Sequence, residues 1–304
     1  MAHPLLSRRL LHFLTVFELG NIKHAAENLG ISQPALSMSL RHLEDDLGAE
    51  LFVRQARGVS PTAAGEVLYR YANSMRNSTR LAEEEIAAIG SGMITHLRLG
   101  AGVAWTTTIM PDVLIELRAR FPGMPIDMIA GVGDQLAGQL LSGKIDVLLA
   151  AGSMPSLDSP DIAKDFITTL PMLAVADRHH PLSQRDCVSP EELVSAPWAG
   201  FYEDESFFNR AQHYMALRGL PAPRITLRTN SAAALTSLVR ASELVLLLMP
   251  PLARSACSAG LSELRLAEPL WEMPINVYYR RMVGELRSVK AFRDLVSQSI
   301  RDFR

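Results

Sequence analysis

Within Ser32-Gln33-Pro34-Ala35-Leu36-Ser37-Met38-Ser39-Leu40-Arg41 the outward-compatible side chains are of kinds that can read a DNA groove. The Gln33 amide can both donate to and accept from one adenine edge at N6 and N7, and the Ser32 and Ser37 hydroxyls can meet base edges or phosphates. Pro34 and Ala35 offer apolar contact to a thymine methyl. Arg41, with Arg54 and Arg57 further on, suits phosphate, where a guanidinium sets affinity and register without reading sequence. Two of these residues have a second reading: Ser32 as a helix cap and nothing more, and Arg54 as the partner of an acid.

Such residues need a helix to hold them in line. Ser32 is a good N-cap, Pro34 falls in the first turn where its missing N–H costs nothing, and Leu36, Leu40, Leu43 and Leu47 form one apolar stripe. Burying that stripe turns Gln33, Ser37 and Arg41 outward, with Met38 almost directly opposite the leucines. A first helix is predicted from about Ser7 to Leu19, its apolar face built from Leu10, Leu11, Leu14, Phe17 and Phe13, and Gly20-Asn21 ends it. A short second helix holds Ala25, Ala26 and Leu29, whose small residues allow close approach, and Gly30 supplies the turn. Leu51 to Arg54 and Gly58 to Ser60 bracket Gln55-Ala56-Arg57 as a small hairpin, or wing. From Thr62 to about Ile89 a proline-free pattern places Ala64, Leu68, Tyr71, Met75, Ser78, Ala82, Glu85 and Ile89 at alternating steps of four and three. That is the pattern of a helix that pairs with another helix, or of one packed on its own chain. Gly90-Ser91-Gly92 reads as a hinge.

The 304 residues, 48% hydrophobic and 20% charged, suit two or more globular domains. No apolar run is long enough to span a bilayer and no secretory signal is visible, so a cytoplasmic location without membrane association is expected. Cys187 and Cys257 are too few and too distant in sequence for a disulfide framework or a zinc site; buried or merely tolerated thiols are expected, with no metal and no cofactor. The net charge of −2, and nine Lys/Arg against ten Asp/Glu in residues 1–91, mean that bulk attraction does not announce nucleic acid. Recognition must then rest on local placement, because phosphate attraction acts within about 8–10 Å.

Beyond residue 92 strands and helices alternate: strands at Leu97–Gly100, Ile126–Ile129 and Ile145–Leu149 with helices at Ile109–Phe121 and Gln135–Leu141. A second set follows, in Met172–Val175, Glu191–Val194, Trp198–Phe201, Ser206–Arg218, Ile225–Arg228, Ser231–Ala241 and Leu244–Leu248. Such repetition implies parallel sheets covered by helices, arranged as two small α/β lobes, with ligands beyond the carboxyl ends of the strands.

Ala25-Ala26-x-x-Leu29 and Ser32-Gln33-Pro34-Ala35-Leu36-Ser37, followed by Leu43-Glu44, Leu47-Gly48, Leu51-Phe52-x-Arg54 and Thr62-x-Ala64-Gly65, closely resemble the LysR-type transcriptional regulators. The resemblance extends over essentially the whole chain. It implies an α/β multi-domain regulator: a winged helix-turn-helix domain at 1–61, a dimerisation helix and hinge at 62–91, and an effector-binding domain at 92–304. That last domain is similar to periplasmic binding proteins, with lobe I at 92–164 and 268–304 and lobe II at 165–267. Also implied are promoter DNA, RNA polymerase and a small-molecule effector as partners, a homodimer joined through the long helix and then a homotetramer, and no enzymatic step. The family usually carries a polar or basic residue where Met38 stands, and this departure removes a polar base contact there.

By the same resemblance, the effector lies at a loop after the first strand of lobe I, here Gly102, Val103, Ala104, Trp105 and Thr106, with Gly131, Ala151 and Phe201 at matching strand ends. Few hydroxyls occur there. An apolar pocket is expected, with Trp105 and Phe201 available to stack on an aromatic or aliphatic carboxylate; the alternative for Trp105 is core packing. Glu203-Asp204-Glu205 is either a face for a cationic effector or a solvated loop.

Two rival functions leave traces. Gly100-x-Gly102 after a strand is a fragment of a dinucleotide loop, but Trp105 stands where the third glycine belongs, and no Gly-x-Ser-x-Gly or His-Glu-x-x-His motif occurs. His179-His180 reads as a surface turn. A DNA-bending protein whose lobes bind no effector would share the same N-terminal motif.

Overall fold

The structure is a computed structural model that describes residues 8–55, 58–91, 96–202 and 204–301; the chain divides at residue 87 into two compact units. In the first unit, helices α1 (Arg8–Leu19), α2 (Ile22–Leu29) and α3 (Gln33–Leu47) are followed by antiparallel strands β1 (Phe52–Gln55) and β2 (Gly58–Pro61) and by the long α4 (Ala63–Ser91). Its core gathers Leu10, Phe13, Leu14 and Val16 of α1, Ala25 and Ala26 of α2, and Leu36, Leu40 and Leu43 of α3, closed by Leu51, Leu68 and Ala72.

Three expectations shift here. Leu10, Phe13 and Leu14 of the expected face of α1 are buried and Phe17 packs against the core, but Leu11 faces solvent and Val16 is buried in its stead. Leu47 is 36% exposed because the last turn of α3 runs past the edge of the core. Leu68 belongs to this unit's own core, and Tyr69 stacks on Phe17 with ring centroids 3.9 Å apart, so the start of α4 is part of the winged domain. The expected boundary at residue 61 does not divide the packing.

Local chemistry fixes the joints. Asn21 caps α2 by accepting from the Lys23 and His24 N–H groups, and Ser32 caps α3 by accepting from the Ala35 N–H. Gly30 takes φ +65° between them, a conformation that costs a side-chain-bearing residue strain. Gly58 makes the closest approach: a Cβ on it would lie 2.3 Å from the Gly20 carbonyl oxygen, to which the neighbouring Val59 N–H donates. Glu44 reaches back from α3 and accepts from the Leu51 and Phe52 N–H groups at 2.8 and 3.3 Å, which ties β1 to the third helix. Thr62 donates to the Glu50 carbonyl and accepts from the Gly65 N–H, fixing the start of α4.

The second unit contains two five-stranded sheets. In lobe I, β3 (Leu97–Gly102) leads through the short α5 (Val103–Thr106) and α6 (Met110–Arg120) to β4 (Ile126–Gly131), α7 (Gly133–Leu141), β5 (Val147–Ala151) and β6 (Ile162–Pro171). Lobe II follows with β7 (Leu173–Asp177), α8 (Pro190–Ser195), β8 (Trp198–Phe201), α9 (Glu205–Ala216), β9 (Ile225–Thr229), α10 (Ala232–Val239), β10 (Val245–Leu248), α11 (Pro250–Ser258) and β11 (Leu261–Glu263). The chain returns to lobe I as β12 (Glu272–Arg280) and ends in α12 (Arg287–Arg301).

The strand orders are β4-β3-β5-β12-β6 and β11-β7-β10-β8-β9. In each sheet three strands pair in parallel and one strand, β12 or β7, runs antiparallel to both its neighbours, so both sheets are mixed where wholly parallel sheets were expected. The lobe boundaries also move. All of β6 to Pro171 pairs with β12, so residues 165–171 lie in lobe I, and the return begins at Glu272 where residue 268 was expected.

Replacing Glu44 with Ala leaves two amides without their shared acceptor. The variant is expected to lose about 2 kcal/mol locally, read as roughly 30-fold faster hydrogen exchange at the Leu51 and Phe52 amides in the full chain.

Candidate nucleic-acid interface and ligand cleft

With Leu36, Leu40 and Leu43 buried, α3 has one orientation, and the side chains on its other faces follow from geometry. Ser32, Gln33, Pro34, Ala35 and Arg41 are exposed, Ser37 is half-buried, and Met38 is 57% exposed on the side away from the leucines. Ser32 accepts the Ala35 N–H at 3.4 Å, so its capping role is present. A cap bond of that length leaves the hydroxyl's own proton to donate elsewhere. Arg54 sits in β1 with its backbone opposite Val59, and Arg57 lies outside the described residues.

An apolar face interrupts the surface of α4. Val67, Tyr71 and Met75 recur every four residues and all three are exposed, Tyr71 by 62%, while Ile86 is exposed further along. Of the stripe expected to form a helix pair, Tyr71 and Met75 face outward, Leu68 is spent on the core, and the side chains of Glu85 and Ile89 lie outside the description.

In the second unit, a cleft with about 1030 Å³ of empty space, open to solvent, lies between the lobes at the carboxyl ends of their parallel strands. Gly102 ends β3, Gly131 ends β4, Ala151 ends β5 and Phe201 ends β8, and all four line it together with Val103, Ala104 and Trp105. Thr106 is not among the lining residues; its hydroxyl donates to the Val103 carbonyl at 2.8 Å, closing the short α5. Trp105 is 1% exposed and its indole edge lies against Gly102, so it forms a wall of the cleft and presents little free ring face. Val103 and Ala104 also pack on the core of lobe II, so α5 spans the two lobes.

Several lining residues were not foreseen. Met154, Met172, Met249 and Met273 come from four separate segments, and Leu247 and Leu248 come from the end of β10. Strand-end logic would have reached β10, since that strand was recognised. Met172 and Met273 belong to the crossing between lobes, which sequence placed several residues too early. The polar lining groups are Asp134, Ser153, Asp204 and Ser206. Asp204 caps α9 by accepting the Phe207 N–H at 3.2 Å.

Among the described residues no group of His, Cys, Asp or Glu is placed to hold a metal ion. Cys187 is exposed, and burial followed by the nearby Glu263 carboxylate pushes the half-buried Cys257 thiol above its ordinary pKa, which keeps it protonated. No helix of the described residues is long and apolar enough to cross a membrane.

Residues 7–66 match the bacterial regulatory helix-turn-helix protein, lysR family, and residues 91–301 match the LysR substrate binding domain. The nitrogen assimilation regulatory protein nac of Escherichia coli is 33% identical over 142 residues, an alignment covering 46% of this chain and 46% of that protein; the chain thus spans about half the length of this relative. A probable RuBisCO transcriptional regulator of Chlorokybus atmophyticus is 25% identical over 301 residues, covering 97% of this chain and 93% of that protein. A full-length OxyR variant from Pseudomonas aeruginosa has the same fold, with a TM-score of 0.66 at 20% identity, covering 95% of this chain and 96% of that one. Full-length CbnR complexed with its target DNA gives 0.61 at 20% identity, covering 96% and 99%. The names of these relatives are those of regulators, none of an enzyme.

Proposed function

The chain belongs to the LysR family of DNA-binding transcriptional regulators, and from that premise we propose that it reads promoter DNA through the outward face of α3 and responds to a small molecule held in the cleft between its lobes. The observation that carries the DNA reading is the burial of Leu36, Leu40 and Leu43, which leaves Gln33, Ser37 and Arg41 facing out on a helix capped at Ser32. Gln33 pairs with adenine, Pro34, Ala35 and Met38 meet thymine methyls, and Ser32, Ser37, Arg41, Arg54 and Arg57 position the phosphate backbone. CbnR, whose fold this chain shares, is solved on its target DNA, which supports the docking mode.

The exposed Val67, Tyr71 and Met75 on α4 support a homodimer in which two such helices pair, and a two-fold dimer would set two recognition helices on adjacent half-sites. Assembly of dimers into a tetramer, contact with RNA polymerase and a cytoplasmic setting extend this reading. The apolar half of the expected ligand, an aromatic or aliphatic body, is supported by the methionines, Phe201 and Phe207 of the cleft. Its carboxylate half is not supported, because no Lys, Arg or His stands among the described lining residues.

Gln33→Ala is expected to cost about 1–3 kcal/mol of specific binding and to relax preference at one position of each half-site, whereas Arg41→Ala weakens all sequences alike and flattens the salt dependence. Quantitative gel shifts over a salt series separate the two, and equal loss of specific and non-specific binding in the Gln33 variant refutes base reading. Tyr71→Asp is expected to halve the mass measured by light scattering without lowering the melting temperature. An unchanged mass places the interface elsewhere. Leu68→Asp is expected to unfold the winged domain, since it puts a charge into that core.

A further inference from the structure

At the end of lobe II away from the cleft lies a second hollow, with about 780 Å³ of empty space open to solvent. The turn 177–179 after β7, Arg240 at the end of α10 and 258–260 at the end of α11 line it. Antiparallel pairing sets Val175 of β7 beside Leu246 and Asp177 beside Leu261. The last residue of β7 therefore lies at the amino end of β10, whose carboxyl end faces the cleft. Leu252 of α11 lines the cleft and Ser258 lines the hollow, so this helix runs from one to the other.

Two guanidinium groups meet in the hollow. Arg178 Nε donates to the Gly260 carbonyl and Arg240 Nη1 to the Ala259 carbonyl, both at 3.3 Å, so consecutive carbonyls hold two cations side by side. Gly260 makes the room for them. It is buried at φ +107°, and a Cβ on it would lie 3.2 Å from both Arg178 Nη2 and Arg240 Cδ. Capping the carbonyls at the end of α11 uses one donor of each arginine and leaves the other N–H groups of both forks. Among the described residues neither arginine has an acidic side chain within ion-pair distance.

One acid shares the lining. The Asp177 carboxylate accepts the His179 N–H at 2.7 Å, which tightens the turn, and its charge offsets one of the two guanidinium groups. The carbonyl end of α11 adds about half a negative charge, so a positive excess remains. His179 is exposed in the lining and brings an imidazole to the same place. Its neighbour His180 is buried and anchors the turn, with Nδ1 accepting the Leu182 N–H at 3.0 Å and Nε2 donating to the Glu243 carbonyl at 3.1 Å. The pair that reads in sequence as a surface turn is thus one anchor and one open group. A carboxylate, with two oxygens, matches a single fork, whereas a phosphoryl group has a third oxygen and can bridge two.

We propose that this hollow binds the phosphoryl group of a small soluble compound, held between Arg178 and Arg240 with His179 at its edge. The site belongs to lobe II alone and does not depend on what the cleft binds.

Isothermal titration of the full chain at pH 7 and constant ionic strength tests this, with inorganic phosphate, phenyl phosphate and acetate as probes. Both phosphates are expected to saturate one site per chain, with acetate weaker by about tenfold or more. Arg178→Gln combined with Arg240→Gln is expected to weaken phosphate by about tenfold or more. Both side chains are exposed, so the double variant keeps the fold. Arg118→Gln with Arg287→Gln removes the same charge from exposed positions of lobe I and is expected to leave phosphate binding unchanged. Unchanged affinity in the Arg178 and Arg240 variant, an equal loss in the control pair, or no saturation up to about 10 mM phosphate overturns the proposal. Gel shifts with non-specific double-stranded DNA check the macromolecular source of phosphate. A loss of DNA affinity in the Arg178 and Arg240 variant beyond that of the control pair assigns the surface to nucleic acid and overturns the small-molecule site.

Discussion

Burial of Leu36, Leu40 and Leu43 is the constraint on which the N-terminal unit depends. A helix is free to rotate about its axis until one stripe is fixed, and three leucines at near-zero exposure fix it. Everything assigned to the DNA-facing side follows from that rotation: Gln33 and Arg41 outward, Ser37 at the flank, Met38 away from the core. Glu44 then couples the orientation to the wing by accepting two amides from the start of β1, and Gly58 lets the wing lie against the turn after α1. Several of the motif residues that mark the family thus have structural roles. Glu44, Thr62 and Gly65 hold joints, while the candidate base contacts come from the exposed start of α3.

In the lobes the corresponding constraint is topological. Three parallel strands in each sheet direct their carboxyl ends toward one cleft, so loops far apart in sequence converge there. α5 packs across the gap onto lobe II, and the crossing segments contribute Met172 and Met273. A ligand in such a place touches both lobes and the strands that join them. This is the arrangement in which occupancy can bias the relative positions of the lobes, provided the ligand binds one arrangement better than the other.

Much of this was legible in the sequence where one local rule dominated. The α3 stripe and its cap, the turn at Gly30, the hairpin and most strands of both lobes follow from periodicity and from glycine, proline and serine placement. The failures have equally local causes. On α1 apolar residues occur on too much of the surface for pattern alone to leave out Leu11 and include Val16. In β6, Lys164 and Asp165 interrupt the apolar pattern, and the strand is held by its long pairing with β12. Helix α11, which the sequence pattern did not supply, begins at Pro250-Pro251, where proline is accepted in the first turn. The strand-end residues of the cleft were foreseen because topology dictates them. The methionines and Asp134 were not, since only tertiary structure brings their separate segments together, while Asp204 was left open between a face for a cationic effector and a solvated loop.

The central claim is that the outward face of α3 reads a sequence, and selection from a random pool of double-stranded DNA by the full chain tests it most directly. The account predicts enrichment of an inverted repeat whose half-sites have centres about one helical turn apart, or a multiple of it, with an adenine–thymine pair at a fixed place in each half. Enrichment of no sequence, with recovered DNA dependent only on salt, would contradict it.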